Sequence, residues 1–462
     1  EKHQLKFFVY CLGGLMELLG FIVLIACLVV GVRYGGLGLA AISGIGLVFF
    51  VFGIGLVPGK PPIAVMLTIM AVVTCSGFLQ ASKGLDVMLK YAEKILRKNP
   101  EKVTILAPIT TWFLTVLCGT GHVVYTMFPI IYDVAIKQNI RPERPMAVSS
   151  VAAQMGIGAS PASVAVVSVV SMLAATSHPF SVVQVLSVSM PATLCGVIVA
   201  ALWSLKRGKD LANDPEFQAK IADPEQRAYI YEEQGEDSSH RELPKSAYKA
   251  TFIFLAGIVV IALFGSFPKE LLPLVPNSKG IWAPLSMTPT IQLSMLVIAA
   301  IILLVCKVKS SDVVNGSVFK SGMVAVVSVY GVAWMAETYF GAYLPGFKKT
   351  LSQVVLDYPW TYAIVLFLIS KLVNSQAAAL AIVVPMALNI GVDPIIILSF
   401  ISACYGYFVL PTYPSDLACI GFDRSGTTRI GKFVINHSFI IPGFIGIATG
   451  CCVGYVIAHL LY

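Results

Sequence analysis

Gly119-Thr120-Gly121-His122 and Asn374-Ser375-Gln376 are short polar interruptions inside long apolar runs. Each precedes another apolar segment with an internal proline, Pro129 or Pro385. Further along, Ala159-Ser160-Pro161 and Leu410-Pro411-Thr412-Tyr413-Pro414 break the pattern again, once in each half. Inside a hydrocarbon layer, irregular backbone is tolerated only where it is buried in protein or lines a polar cavity. Broken helices at matching places in two halves of a membrane chain point to a transporter's binding site.

The rest of the chain supports a membrane setting. It has 462 residues, 57% hydrophobic and 12% charged, with mean hydropathy +0.83. Soluble proteins carry about 25% charged residues. Leu18–Val32, Leu37–Val57, Thr251–Phe267, Ile291–Cys306 and Phe433–Leu461 approach or exceed the roughly 20 apolar residues that span a bilayer. A soluble protein could not hide so many nearly uncharged segments. The net charge of +8 requires no nucleic acid. Its lysines and arginines cluster between spans, at Lys90–Lys102, Lys137–Arg144 and Lys206–Lys209, as cytoplasmic loops do. The ten cysteines lie almost all in apolar runs without a metal-ligand spacing, and read as small hydrophobes.

The expected fold is an all-α polytopic membrane protein of two repeated halves with broken helices and re-entrant hairpins. Ala71 and Ala325 are 254 positions apart, as are Thr120 and Asn374; Pro129 and Pro385 are 256 apart. Inverted repeats are the commoner design for paired broken helices. Residues 1–15 read as an extension, 16–205 as the first transmembrane repeat, 206–249 as a hydrophilic loop on the cytoplasmic side, and 250–462 as the second repeat. That loop reads as a linker, with short helical turns over Glu216–Ile221 and Glu225–Tyr231; the alternative is a docking site for a regulatory partner. Between Gly77 and Pro100 the pattern predicts an amphipathic helix on the cytoplasmic surface, with Asp86 in its first turn.

An organic anion in a membrane needs hydrogen-bond donors and positive potential. Half-helix N-termini after Gly121 and Ser375 supply both. Thr120, Ser160, Ser375, Thr412 and Ser415 add hydroxyls, and Asn374 and Gln376 add amides. Gly119 and Gly121 permit close approach; Pro161 and Pro411 break the helix. Two matched breaks suit a solute with two like ends, such as a dicarboxylate. Lys371 and Asp416 are charged residues within apolar stretches, functional by default. Lys371 would attract an anion. Asp416 would restrain that attraction or bind a coupling cation. The plain alternatives are snorkelling for Lys371 and helix N-capping for Asp416. His122 stands at the first break, and histidine is the side chain whose unperturbed titration falls near neutral pH. No catalytic arrangement stands out, so an enzyme is not expected. Nor is a cofactor or metal, and a coupling ion stays unassigned.

At these residues the chain resembles the anaerobic C4-dicarboxylate transporter family of bacteria, the DcuA/DcuB type. Leu79-Gln80-Ala81-Ser82, Cys118-Gly119-Thr120-Gly121-His122-Val123-Val124-Tyr125-Thr126, Val373-Asn374-Ser375-Gln376-Ala377-Ala378-Ala379 and Leu410-Pro411-Thr412-Tyr413-Pro414-Ser415-Asp416 carry the likeness, which starts at Met16. It implies a multi-pass exchanger in the bacterial inner membrane. Fumarate, malate or aspartate would enter and succinate leave during anaerobic fumarate respiration. Residues 206–249 look more like the DcuB-like subtype. The wider ion-transporter superfamily binds carboxylates at paired Ser/Asn/Thr hairpin tips. Here the first tip reads Gly-Thr-Gly, so that superfamily's sodium sites are not carried over. The expected partners are C4-dicarboxylates, the lipid bilayer and a second copy in a homodimer, with a membrane sensor kinase as a regulatory one. A proton- or sodium-coupled symporter is the alternative within transport.

Overall fold

The computed structural model describes residues 2–174, 176, 179–232, 242–266, 272–276, 280–285, 287–410, 413–432 and 435–462. Pro411 and Thr412 therefore lie outside the described residues, as does part of the linker.

The described residues are mainly helical, with a short ribbon in which Leu274–Pro276 pairs antiparallel with Trp282–Pro284. The first half runs α1 Lys2–Arg33, α2 Gly35–Val48, α3 Ile63–Ala81, α4 Gly84–Lys98, α5 Val103–Cys118, α6 Val124–Lys137, α7 Glu143–Ile157, α8 Val164–Leu173 and α9 Val182–Ser204. Two short helices, α10 Pro215–Ala222 and α11 Pro224–Tyr231, lie in the linker. The second half runs α12 Lys245–Ser266, α13 Met287–Cys306, α14 Ser310–Asn315, α15 Ser317–Asp357, α16 Trp360–Val373, α17 Gln376–Ile390, α18 Pro394–Ser399, α19 Pro414–Phe422 and α20 Ile440–Leu461.

Among the described residues, seven helices are long and apolar enough to cross a bilayer. Only 28% of Gly14–Gly31 and of Thr288–Cys306 is buried, against 61% of Ile63–Ala81 and of Pro100–Cys118. The exposed side chains of the outer helices are themselves apolar, among them Leu18, Ile22, Leu296 and Leu304. An apolar surface this extensive faces lipid. The last span starts at Ile440 rather than near Phe433. A bridge between Ile430 and His437, and the hydrogen bond from Ser438 Oγ to Glu143 (2.7 Å), hold the preceding residues in a loop.

The predicted amphipathic helix is α4. It buries Leu85, Met88, Ala92 and Leu96 on one face. Glu93 is also buried, with Arg97 one turn on supplying its cation at 2.8 Å.

The linker is docked rather than free. Leu211, Phe217 and Ile230 are buried. Asp214 binds Arg141 at 2.6 Å, Asp210 binds Arg144 at 2.8 Å, and Tyr132 donates to the Ile230 carbonyl at 2.9 Å, all on the first half. On the second half, Arg424 pairs with Glu232 at 3.1 Å and covers the Tyr229 ring, while Arg429 pairs with Glu216. These two arginines hold the linker to the second half. Burial alone would raise the Asp214 carboxyl. Hydrogen bonds from Arg141 and from the Phe217 and Glu216 N–H groups hold it below the usual carboxylate range.

Candidate functional site

The two interruptions fold alike. Helix α5 ends at Cys118, Gly119 turns left-handed at φ 75°, and Thr120 is extended. Thr120 Oγ1 then accepts from the His122 N–H at 3.3 Å, and one tight turn over Gly121–Val123 leads into α6. Helix α16 ends at Val373, Asn374 turns left-handed at φ 48°, and Ser375 is extended. Ser375 Oγ accepts from the Ala378 N–H at 3.3 Å and starts α17. A left-handed residue followed by an extended hydroxyl residue is thus the shared device. It stops one helix and caps the next within two positions. Asparagine is among the few non-glycine residues that tolerate the left-handed region.

Both tips open into one cavity of about 150 Å³. Gly119, Thr120, Gly121 and His122 line it from one side, and Asn374, Ser375, Gln376 and Ala377 from the other. The second pair of breaks contributes Ala162 and Tyr413, and α3 contributes Ser76. No Asp, Glu, Lys or Arg is among these lining residues. The first-turn N–H groups of a helix have no intrahelical acceptor. Ala378 uses Ser375 and His122 uses Thr120, whereas no hydrogen-bond acceptor for the N–H groups of the lining residues Gly121, Gln376 and Ala377 is found among the described residues. The field of both helix starts is therefore positive there.

Several expected site residues sit behind this wall. Ser160 Oγ donates to the Val116 carbonyl (2.7 Å) in the last turn of α5 and accepts from the Ala162 N–H (3.1 Å). Its hydroxyl fixes the third break, and neither Ser160 nor Pro161 lines the cavity. Lys371 Nζ donates to Asn374 Oδ1 (3.2 Å) and to the Tyr407 carbonyl (3.3 Å), one residue back from the cavity. Ser415 and Asp416 are buried against α7. Asp416 Oδ1 accepts from Ser150 at 2.7 Å, and its Oδ2 has no hydrogen-bond partner among the described residues. Asp416 lies in the first turn of α19 rather than at its N-cap, which is Tyr413. Neither Lys371 nor Asp416 is among the residues that line this cavity. His122 lines the cavity and stacks on Tyr125, ring centroids 5.8 Å apart.

Two further residues belong to the site. Tyr407 lines the cavity and donates to Gln154 Oε1 at 2.6 Å. Gln376 spends its side-chain amide on the Gln154 carbonyl (2.7 Å) and the Tyr407 hydroxyl (3.2 Å), so only its backbone N–H remains for a ligand. Gln154 stands alone as a long amide among small and apolar residues of α7, a signal the sequence does carry. Tyr407 sits in an aromatic run that reads as ordinary packing.

Asn374→Gly tests the second tip, because it keeps the left-handed turn and removes the amide that holds Lys371. The KM for a dicarboxylate should rise about tenfold, as expected for one lost hydrogen bond near a charged group, with membrane-inserted protein at its normal level. Uptake assays in proteoliposomes read this, and an unchanged KM removes Asn374 from the site.

The sequence model of a family described as anaerobic C4-dicarboxylate membrane transporter matches residues 16–462. The chain is 54% identical over 444 residues to the anaerobic C4-dicarboxylate transporter DcuB of Escherichia coli O6:H1, covering 95% of this chain and 98% of that one. It is 35% identical over 447 residues to the C4-dicarboxylate transporter DcuA of Escherichia coli strain K12, covering 96% and 100%. Among solved structures it is similar to Neisseria gonorrhoeae MtrF, of a class of antimetabolite efflux pumps, with TM-score 0.49, 14% identity and coverage of 89% and 83%.

Proposed function

This chain belongs to the anaerobic C4-dicarboxylate membrane transporter family, and we propose that it is a secondary antiporter exchanging C4-dicarboxylates across the bacterial inner membrane. Fumarate, malate or aspartate enters and succinate leaves. One observation carries this reading: the first residues of two helices line one cavity that has no carboxylate among its described lining residues. Each cradles one carboxylate of a dianion. Lys371, held behind Asn374, adds positive potential without blocking the cavity. Desolvating a dianion is expensive, so the loaded site moves only when its charge is offset. A homodimer, and a membrane sensor kinase as regulatory partner, extend the same reading.

Exchange of one dianion for another moves no net charge. Succinate preloaded in proteoliposomes should therefore accelerate fumarate entry, at a rate nearly independent of potassium diffusion potentials. A second reading, proton- or sodium-coupled symport, draws support from the unpartnered Oδ2 of buried Asp416. Fumarate entry that ignores preloaded succinate and climbs steeply with membrane potential would replace exchange with symport.

A further inference from the structure

Gln154 comes from α7 in the first half, yet each of its polar groups engages the second. Its Oε1 accepts from the Tyr407 hydroxyl (2.6 Å), its Nε2 donates to Ser415 Oγ (3.4 Å), and its carbonyl accepts from Gln376 Nε2 (2.7 Å). The residue is 1% exposed. Its amide also packs directly on the first tip, since a Cβ built on Gly121 would stand 2.7 Å from Gln154 Nε2. The two tips are therefore connected through one residue: its side-chain amide packs on Gly121, its carbonyl holds Gln376, and its Oε1 holds the Tyr407 hydroxyl to which Gln376 also donates.

The geometry points to Gln154 as the residue that sets the spacing of the two carboxylate cradles, and with it the chain length of dicarboxylate that the cavity selects. It is a positioning residue, because it does not itself line the cavity. The inference rests on the two-cradle reading above. A buried amide bonded at every polar atom moves only by stranding a donor or an acceptor, so the spacing is stiff. A stiff spacing discriminates by length. A dicarboxylate one methylene shorter or longer can satisfy one cradle fully but misplaces its other carboxylate. Gly121 serves the same end, since any side chain there would push Gln154 away.

The test is competition by malonate, succinate and glutarate against labelled succinate counterflow, with butyrate as a one-carboxylate control. The unaltered protein should prefer succinate over all three others. Gln154→Asn withdraws the amide by one methylene and should reduce the succinate preference over its neighbours in length by about tenfold, the worth of one well-placed bond to a carboxylate. Tyr407→Phe keeps the Gln154 side chain and the ring that lines the cavity, and removes the hydroxyl that Gln154 and Gln376 share. It should shift the same ratio in the same direction by less, and it carries the test if Gln154→Asn does not fold. Preserved ratios, whether all affinities fall together or none changes, overturn the assignment. If butyrate competes with the unaltered protein as well as succinate does, the two-cradle reading itself fails, a result distinguishable from failure of Gln154 alone.

Discussion

Glu143→Ala should destabilise the protein by about 3–5 kcal/mol, the usual loss when a buried ion pair is left with one partner. Glu143, at the start of α7, is 7% exposed. Its Oε2 accepts from Arg141 Nε at 2.8 Å; its Oε1 accepts from Arg207 at 3.0 Å and from Ser438 Oγ at 2.7 Å. Arg141 keeps Asp214 when Glu143 is removed, but Arg207 then has no carboxylate among the described residues. Ser438 Oγ keeps its bonds to Arg429 and Arg207 keeps the Ser438 carbonyl, so the loss is chiefly that of the counter-charge to a half-buried guanidinium. Thermal and denaturant unfolding in detergent measure it, with Glu143→Gln intermediate because it keeps the shape and drops the charge. A change below 1 kcal/mol for the alanine variant would show that water replaces the carboxylate freely.

Gly119→Val should reduce dicarboxylate exchange about a hundredfold, the scale of effect when a binding element moves by about an ångström. Gly119 has φ 75°, a region closed to a β-branched residue. A side chain there would also drive into the Ala162 carbonyl of the third break. The first tip would have to leave its place against the cavity, and the third break would move with it. Gly119→Ala should lie between, since it meets the same carbonyl with less bulk. Gly44→Ala is the control, because the space around Gly44 is open and α2 favours alanine. Counterflow in proteoliposomes at matched protein density gives the ratio. Near-normal exchange by the valine variant would mean that the first tip is not part of the site.

The breaks at Gly119–His122 and Asn374–Gln376 were legible because polar and glycine residues inside apolar runs conflict with unbroken helix, and the conflict has few resolutions in a bilayer. The roles of the residues around them were less so. Lys371, Ser415 and Asp416 carry the right chemistry at the right spacing. Whether such a side chain faces a cavity or the packing behind it depends on helix rotation, which a short polar motif does not fix. The bond that Ser160 makes was not legible for a related reason: the orphan carbonyl of Val116, set by where α5 stops, takes its hydroxyl. The docking of residues 206–232 was hidden because acidic residues such as Asp214 and Glu232 resemble a solvated tether until their arginine partners, distant in sequence, are brought beside them.

The two tips share a backbone path but not a chemistry. One is Gly-Thr-Gly-His, offering mainly peptide groups; the other is Asn-Ser-Gln, with a lysine amine at the asparagine. A symmetric solute such as succinate is indifferent to which of its ends enters which tip. Malate and aspartate are not, because a hydroxyl or ammonium beside one carboxylate meets different neighbours in the two arrangements. Such substrates bind one way round, and mirror-image forms present that substituent to opposite walls. If malate and aspartate are substrates, as proposed, stereochemical preference would originate in the unlike sequences at the two tips.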